Sequence, residues 1–357
     1  MAGMNILLLR PIFEPGGATR AIVQLARGLV ARGHTVSLAA HRWDWLADSS
    51  IAAMPVDYVP FHPSTPASLI QSITALRRIV RRRKIDLMHS HHRFTSVSAQ
   101  VVSTLSGVPV VSTVHEFRFN QLWLTRFGLR GQVATYSQAL KDHLVQHYRI
   151  PAQCIQVQSM GIDLAAYPSV VRQKVESPVP VIGCLARLVD GKGMDVLIRA
   201  LAEVRRMWSD PFVCRIIGDG PLRPVLEELV VTLELANYVQ FIGWQDDILS
   251  SIAQTNFLVL PSLQEGLGLV ILEGWLLAKP TVGSNVGGIP ELIQHQHNGL
   301  LVPPGDAVAL AEAIIALLQH PDQVKRLGQA GWETVQRCNT LDTMIDQTEQ
   351  LYRAVLD

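Results

Sequence analysis

The chain has almost no net charge: 31 Lys and Arg against 30 Asp and Glu leave a formal +1 over 357 residues. That near-balance argues against an overall nucleic-acid binder, although local basic patches remain open. Cysteine is scarce. Cys154, Cys184, Cys214 and Cys338 form no C-x-x-C pair and no metal-ligand spacing, which leaves no disulfide framework and reads as reduced core thiols in a cytosolic protein. No apolar run reaches the ~18 residues that a spanning helix needs; the best candidate, AVALAEAIIALL, is short and contains Glu312. The start, MAGMNILLLRPIFEPGG, lacks a basic segment and a small-residue cleavage site, and Arg10 and Pro11 interrupt it. It reads as a strand rather than a signal peptide. There is no repeat with a period of about 20 to 50 residues and no low-complexity tract. The first strand is not followed by G-x-G-x-x-G, which argues against a nicotinamide dehydrogenase. No Asp-x-Asp triplet occurs anywhere.

What is present describes a well-filled globular interior, with 48% hydrophobic and 17% charged residues. The length exceeds the roughly 250 to 300 residues at which single cores stop growing, so two domains are expected. Apolar runs of strand length alternate with segments of helical period, the pattern of parallel sheets covered on both faces. One set comprises MNILLLR, TVSLAAH, VDYVPF, IDLMHSH, PVVSTVH, QVATYS and CIQVQSM. A second comprises VPVIGCLAR, FVCRIIGDG, YVQFIG, FLVLPS, PTVGSNV and GLLVPP. The polar, proline-containing stretch 166–180 is the expected linker. The helical tail from about 321 ends in TLDTMIDQTEQLYRAVL, which has no strand to cover and is expected to cross back. The expected domains are residues 1–168, completed by 341–357, and residues 169–340. In such sheets ligands bind beyond the carboxyl ends of the strands.

Four clusters fall at those ends. In FEPGGATR, Gly16 and Gly17 lie between strand and helix, where bare backbone can approach a ligand; an ordinary tight turn explains the pair equally well. In CLARLVDGKGMDVLI, Arg187 leaves a strand and Lys192 sits in a Gly-flanked loop before a helix, a cationic arrangement suited to a diphosphate. The plainer reading is a solvated loop. Gly218 in IIGDGPL has spacing too short for a dinucleotide fingerprint. In PSLQEGLGLVILEGWLLAKP, Glu265 and Glu273 flank a Gly-rich turn, with Gly266 and Gly268 placed for close backbone approach. A buried carboxylate needs partners, so the two either meet polar ligand groups or serve as a helix cap and a half-exposed side chain.

The fourth cluster is rich in histidine: His89, His91 and His92 in DLMHSHH, and His115 in STVHEF. On a strand only residues two apart share a face, and no carboxylate follows at helical spacing, so no metal site is expected. His115 ends its strand where a substrate contact and a satisfied edge histidine are both possible. A last feature is PASLIQSITALRRIVRRRK, which sets Leu69, Ile73, Leu76 and Val80 on one helical face and Arg77, Arg78, Arg81, Arg82 and Lys84 on the other. With Phe117, Trp123 and Phe127 of FRFNQLWLTRFGL, this stripe is either a solvated face or an attachment to anionic lipid.

The stretch PSLQEGLGLVILEGWLLAKPTVGSNVGGIPELIQHQHNGLLVPPGD resembles the signature of glycosyltransferase family 4. LARLVDGKGMDVLIRAL, PGGATRAIVQLARGLVARGHTVSL and DLMHSHH extend the resemblance over nearly the whole chain. It implies an α/β GT-B fold, two doubly wound Rossmann-like domains facing a deep interdomain cleft, with acceptor bound by the first and nucleotide sugar by the second. It implies a retaining, metal-independent hexosyltransferase with no cofactor and a UDP- or GDP-sugar as co-substrate. A glycan or lipid-linked acceptor would be its partner, in the cytoplasm or peripherally on the inner membrane face. By the same resemblance Arg187 and Lys192 hold the donor diphosphate, Glu273 the ribose, and Glu265 the transferred sugar. Backbone at Gly266, Leu267, Gly268 and Leu269, with Gly218, completes the donor site; Gly16 and Gly17 close over the diphosphate, and His115 lies near the reacting carbon. QSMGID departs from the more usual Asn-Gly-Ile-Asp, and Gly274 and Trp275 are unusual after Glu273. A catalytically inactive paralogue that binds sugar nucleotide or serves as a scaffold is the alternative.

Overall fold

The computed structural model of the protein describes residues 3–14, 16–43, 54–61, 66–117, 122–164 and 177–356. They form two compact units, Met1–Gly161 with Leu341–Asp357, and Ile162–Thr340. The expected domain boundary at 168/169, and most of the expected linker, lie outside the described residues.

The first unit holds a seven-stranded parallel sheet in the order β3-β2-β1-β4-β5-β6-β7. Its strands are β1 (Asn5–Leu9), β2 (Thr35–Ala40), β3 (Val56–Tyr58), β4 (Leu87–Ser90), β5 (Val110–Val114), β6 (Gln132–Thr135) and β7 (Ile155–Val157). The interior strand β1 reads NILLL and is buried on both faces from Ile6 to Leu9, because helices cover both sides of a parallel sheet and no polar face is needed. Helix ends obey local chemistry. The Arg93–Ser106 helix starts where the His92 ring accepts the Phe94 N–H and stops at Gly107 in the left-handed region. Ser137 caps the Gln138–Tyr148 helix by accepting from the Leu140 N–H.

The last helix, Leu341–Leu356, returns to this first unit. It packs so tightly on the Gly17–Ala31 helix that a Cβ on Gly28 would lie 2.5 Å from the Ile345 side chain. Around that contact, Arg32 pairs with Asp342 at 3.0 Å and with Asp346 at 2.9 Å. Buried His34 meets Glu349 at 3.1 Å, and Tyr352 is fully enclosed.

The second unit holds a six-stranded parallel sheet in the order β10-β9-β8-β11-β12-β13. Its strands are β8 (Val181–Leu185), β9 (Val213–Ile217), β10 (Val239–Gly243), β11 (Phe257–Leu260), β12 (Thr281–Ser284) and β13 (Gly299–Val302). All thirteen expected strands are present. The AVALAEAIIALL run is part of the Ala307–Gln319 helix, capped by Asp306, and no helix among the described residues is long and apolar enough to cross a membrane.

Lys279 is an exception to the apolar interior. The residue is 9% exposed, and burial pushes its ammonium down to about 8. Its folded value lies below the unfolded one, so between about 8 and 10.5 the unfolded chain binds more protons and stability rises with pH. Below that window the desolvation penalty is present in full. Lys279→Met is therefore expected to stabilise the protein at pH 7 by about 1–2 kcal/mol, a value discounted for residual solvent contact. In urea titrations the difference from wild type should shrink as pH is raised toward 10.5; a pH-independent difference would remove the ammonium as its cause.

Candidate functional site

In the second unit the strand order reverses between β8 and β11, the position where doubly wound sheets bind ligands. Three loops meet there. The Leu263 and Gln264 N–H groups donate to the Gly191 carbonyl at 2.9 and 3.1 Å, which ties the loop after β11 to the loop after β8. The Gly288 N–H donates to the Glu265 carbonyl at 3.1 Å and brings in the loop after β12. Gly193, at φ 64, caps the Met194–Met207 helix, and a Cβ there would fall 2.0 Å from the Pro261 carbonyl oxygen. The glycines flanking Lys192 thus serve loop-on-loop packing as well as conformation.

That packing brings two of the expected residues together. Lys192 Nζ donates to Glu265 Oε2 at 2.8 Å, and Ser262 Oγ donates to the same oxygen at 3.0 Å. Both charged side chains are largely enclosed, at 28% and 13% exposure. Glu265 does not cap the following helix. The Leu269–Leu276 helix starts at Gly268, φ 99, with no side-chain cap. Glu273 lies just over one turn into it and is 8% exposed, so it is not the half-exposed side chain of the plainer reading. Gly266, Leu267 and Gly268 are buried, and Leu269 is half-buried at the helix start. Arg187 lies two residues past the end of β8, exposed. Gly218, at the end of β9, is pressed against β8: a Cβ would meet the Ala186 carbonyl oxygen at 2.0 Å. Ser262 is not among the site residues that the sequence points to. Its place two residues past the end of β11 is the available signal.

In the first unit the order reverses between β1 and β4. Gly16 is the N-cap of the Gly17–Ala31 helix, and Thr19 Oγ1 donates to the Glu14 carbonyl at 2.6 Å across that turn. The histidines at the ends of β4 and β5 gather into one group, with His89 and His91 buried, His115 half-buried and His92 exposed. His89 bonds Tyr352 Oη through Nδ1 and Thr113 Oγ1 through Nε2, both at 2.7 Å. Its ring stacks on His91 at 4.1 Å, and His91 Nδ1 lies 3.2 Å from His115 Nε2. Burial pushes His89 and His115 down to about 3 and His91 well below its ordinary value, with the Arg10 guanidinium lowering His91 and His115 further. His92 is held down at about 4 by burial and by Arg10 and Arg93. All four rings are therefore neutral near pH 7. No cluster of three or more His, Cys, Asp or Glu able to hold a metal occurs among the described residues.

The basic stripe is partly absorbed by the fold. On the Pro66–Arg82 helix, Leu76, Ile79 and Val80 are buried and Ile73 half-buried. Arg77 is half-buried, and Arg82 and Arg83 both hold Asp57. Arg78 and Arg81 are exposed. Of the aromatics, Trp123 is 70% exposed, whereas Phe117 packs on the core around Leu140 and Phe127 carries the Arg130 guanidinium over its ring. Residues 118–121 of that segment lie outside the described residues.

Two doubly wound units with polar groups gathered at their switch points define the GT-B architecture. Glycosyltransferase Family 4 matches residues 15–166, and Glycosyl transferases group 1 matches residues 179–320. The chain belongs to glycosyltransferase family 4, and it is an enzyme of the hexosyltransferase type. It is 27% identical to the GDP-mannose-dependent alpha-(1-6)-phosphatidylinositol monomannoside mannosyltransferase of Mycobacterium tuberculosis, over 94% of this chain and 96% of that one. It is 36% identical to the lipopolysaccharide core biosynthesis glycosyltransferase LpsD of Rhizobium meliloti, over 47% and 48% of the two chains. In fold it is similar to Anabaena Alr3699/HepE, solved in complex with UDP and glucose, with a TM-score of 0.85, 23% identity, and 98% and 100% coverage.

The loop junction makes its own prediction. Gly193→Ala places a methyl group against a backbone carbonyl in a left-handed conformation, so it should destabilise the chain by about 2–3 kcal/mol in urea unfolding. An unchanged midpoint would mean that the two loops separate freely.

Proposed function

We propose that the protein transfers a hexosyl group from a nucleotide-diphosphate sugar to a glycan or lipid-linked acceptor hydroxyl, with retention of anomeric configuration and without a metal. The observation that carries this reading is the pairing of Lys192 with Glu265 at the β8/β11 switch point, with Arg187 just past the end of β8, ahead of Lys192. An enclosed ammonium held by a carboxylate on an adjoining loop is a positive charge already oriented. In the proposed complex Lys192 and Arg187 neutralise the departing diphosphate, and the uncapped start of the Leu269–Leu276 helix adds its amide N–H groups. Glu265 accepts hydrogen bonds from the transferred sugar, and buried Glu273 from the ribose.

The second unit is thus read as the donor-binding domain and the first as the acceptor-binding one, with Gly16 and Gly17 closing over the diphosphate and His115 contacting the transferred sugar. The acceptor hydroxyl attacks from the face that the leaving group departs, and a phosphate oxygen takes its proton. The carboxylates therefore bind and orient rather than act as a glycosidase pair. The UDP in the Anabaena structure and the GDP-mannose dependence of the mycobacterial relative support a nucleotide sugar as donor, with either base.

The functional test compares UDP-glucose and GDP-mannose as donors. Lys192→Ala and Arg187→Ala are each expected to lower turnover by on the order of 10² while the fold survives. Excess EDTA should leave the wild-type rate unchanged, and the product linkage by NMR should match the donor's anomer. Wild-type turnover in either variant would misassign the clamp, and an inverted product would remove the same-face route.

A peripheral membrane contact is the second part of the proposal. With Arg82 held on Asp57 and Arg77 half-buried, Arg78 and Arg81 offer together about 2 kcal/mol toward anionic headgroups, beside exposed Ile70 on the same helix. Binding to anionic vesicles at low salt is expected to be weak and to fall when Arg78 and Arg81 are both changed to Ser. Equal sedimentation with neutral and anionic vesicles would favour a soluble acceptor.

A further inference from the structure

Among the described residues, one nitrogen of the histidine group is both fully buried and without a hydrogen-bond partner. His91 is 2% exposed, and its Nε2 is buried with no hydrogen bond, while its Nδ1 lies 3.2 Å from His115 Nε2. Two neutral imidazoles share one proton along that contact, so one ring donates and the other accepts. If His115 donated from Nε2, His91 would carry its own proton on Nε2, a buried N–H with no acceptor. If His91 donates from Nδ1, its Nε2 is a bare nitrogen, and every N–H of the pair that is buried has an acceptor. Buried donors without acceptors are rarer in folded proteins than under-used acceptors, so the second arrangement prevails.

We propose that His91 is a positioning residue: it donates Nδ1–H to His115 Nε2 and thereby fixes His115 as a neutral ring with its proton on Nδ1. His115 is half-buried, and among the described residues its Nδ1 makes no hydrogen bond, so this is the nitrogen it has to offer. It offers a donor. The partner it fits is an oxygen acceptor, a hydroxyl oxygen of the transferred sugar, which rests on the functional reading above.

The rest of the group holds His91 in place. Its backbone N–H donates to the Leu9 carbonyl at 2.9 Å, and its ring is stacked on His89. His89 in turn is fixed by Tyr352 from the C-terminal helix and by Thr113 from β5. On its other side His115 lies against the Tyr136 ring, centroids 5.5 Å apart. The orientation of His115 is thereby tied, through two stacked and hydrogen-bonded rings, to the docking of the last helix.

The test needs no ligand. In ¹⁵N-histidine NMR of the wild-type protein, with His115 assigned by loss of its signals in H115N, the proton of His115 should sit on Nδ1. In H91F the preference should move toward Nε2, the commoner tautomer of a free ring. H91N, whose amide N–H can take the place of Nδ1–H, should restore the wild-type pattern. With UDP-glucose or GDP-mannose as donor, H91F should lower kcat about tenfold with KM changed less than about twofold, and H91N should recover most of it. A wild-type His115 protonated on Nε2 would overturn the proposal even if H91F does not fold, as would an H91F spectrum in which His115 is unchanged. If the tautomer is as stated and wild type turns over neither donor, the functional reading fails and the proton assignment stands.

Discussion

A parallel sheet covered by helices on both faces makes an unpaired polar side chain within it costly, and this constraint organises the rest of the molecule. β1 and β8 are buried along nearly their whole lengths, so chemistry is displaced to where the strands end and the chain turns. At a switch point neighbouring connections leave toward opposite faces, and the loops there have room to approach a ligand. The Lys192–Glu265 pair lies at one such point and the His91–His115 pair beside the other.

The two sites meet the cost of partial burial differently. In the second unit, opposite charges are set on separate loops, and the loops are locked by backbone bonds to Gly191 and from Gly288. An enclosed ion pair contributes little to stability, because desolvation offsets most of the attraction. What it does is hold an ammonium and a carboxylate in fixed positions. In the first unit the polar groups are histidines, which escape the desolvation penalty by staying neutral. Such a group needs only donors matched to acceptors, and Tyr352 and Thr113 provide that match for His89.

The C-terminal helix links these themes. Its packing on Gly28, its ion pairs with Arg32 and its buried Tyr352 give the first unit a component that is remote in sequence yet reaches the histidine group. The basic helix makes the opposite point. A stripe that looks continuous on a helical wheel loses Arg82 to Asp57, a partner on β3 that helical spacing does not reveal.

Hydrophobic periodicity alone determined the thirteen strands, their division into two parallel sheets and the ends at which polar motifs would emerge, because apolar runs covered on both faces leave a local and strong signal. The motif around Glu265 and Glu273 was legible for a related reason: glycines and carboxylates inside an apolar stretch are out of place unless something requires them. The partners of those residues were not legible. Lys192 meets Glu265 across 73 positions, and Tyr352 meets His89 across 263, contacts that exist only once strand order has been chosen and loops from different strands lie side by side. Sequence thus set which residues could do chemistry, and tertiary structure decided which of them touch, since a hydrogen bond depends on positions in space that no spacing along the chain specifies.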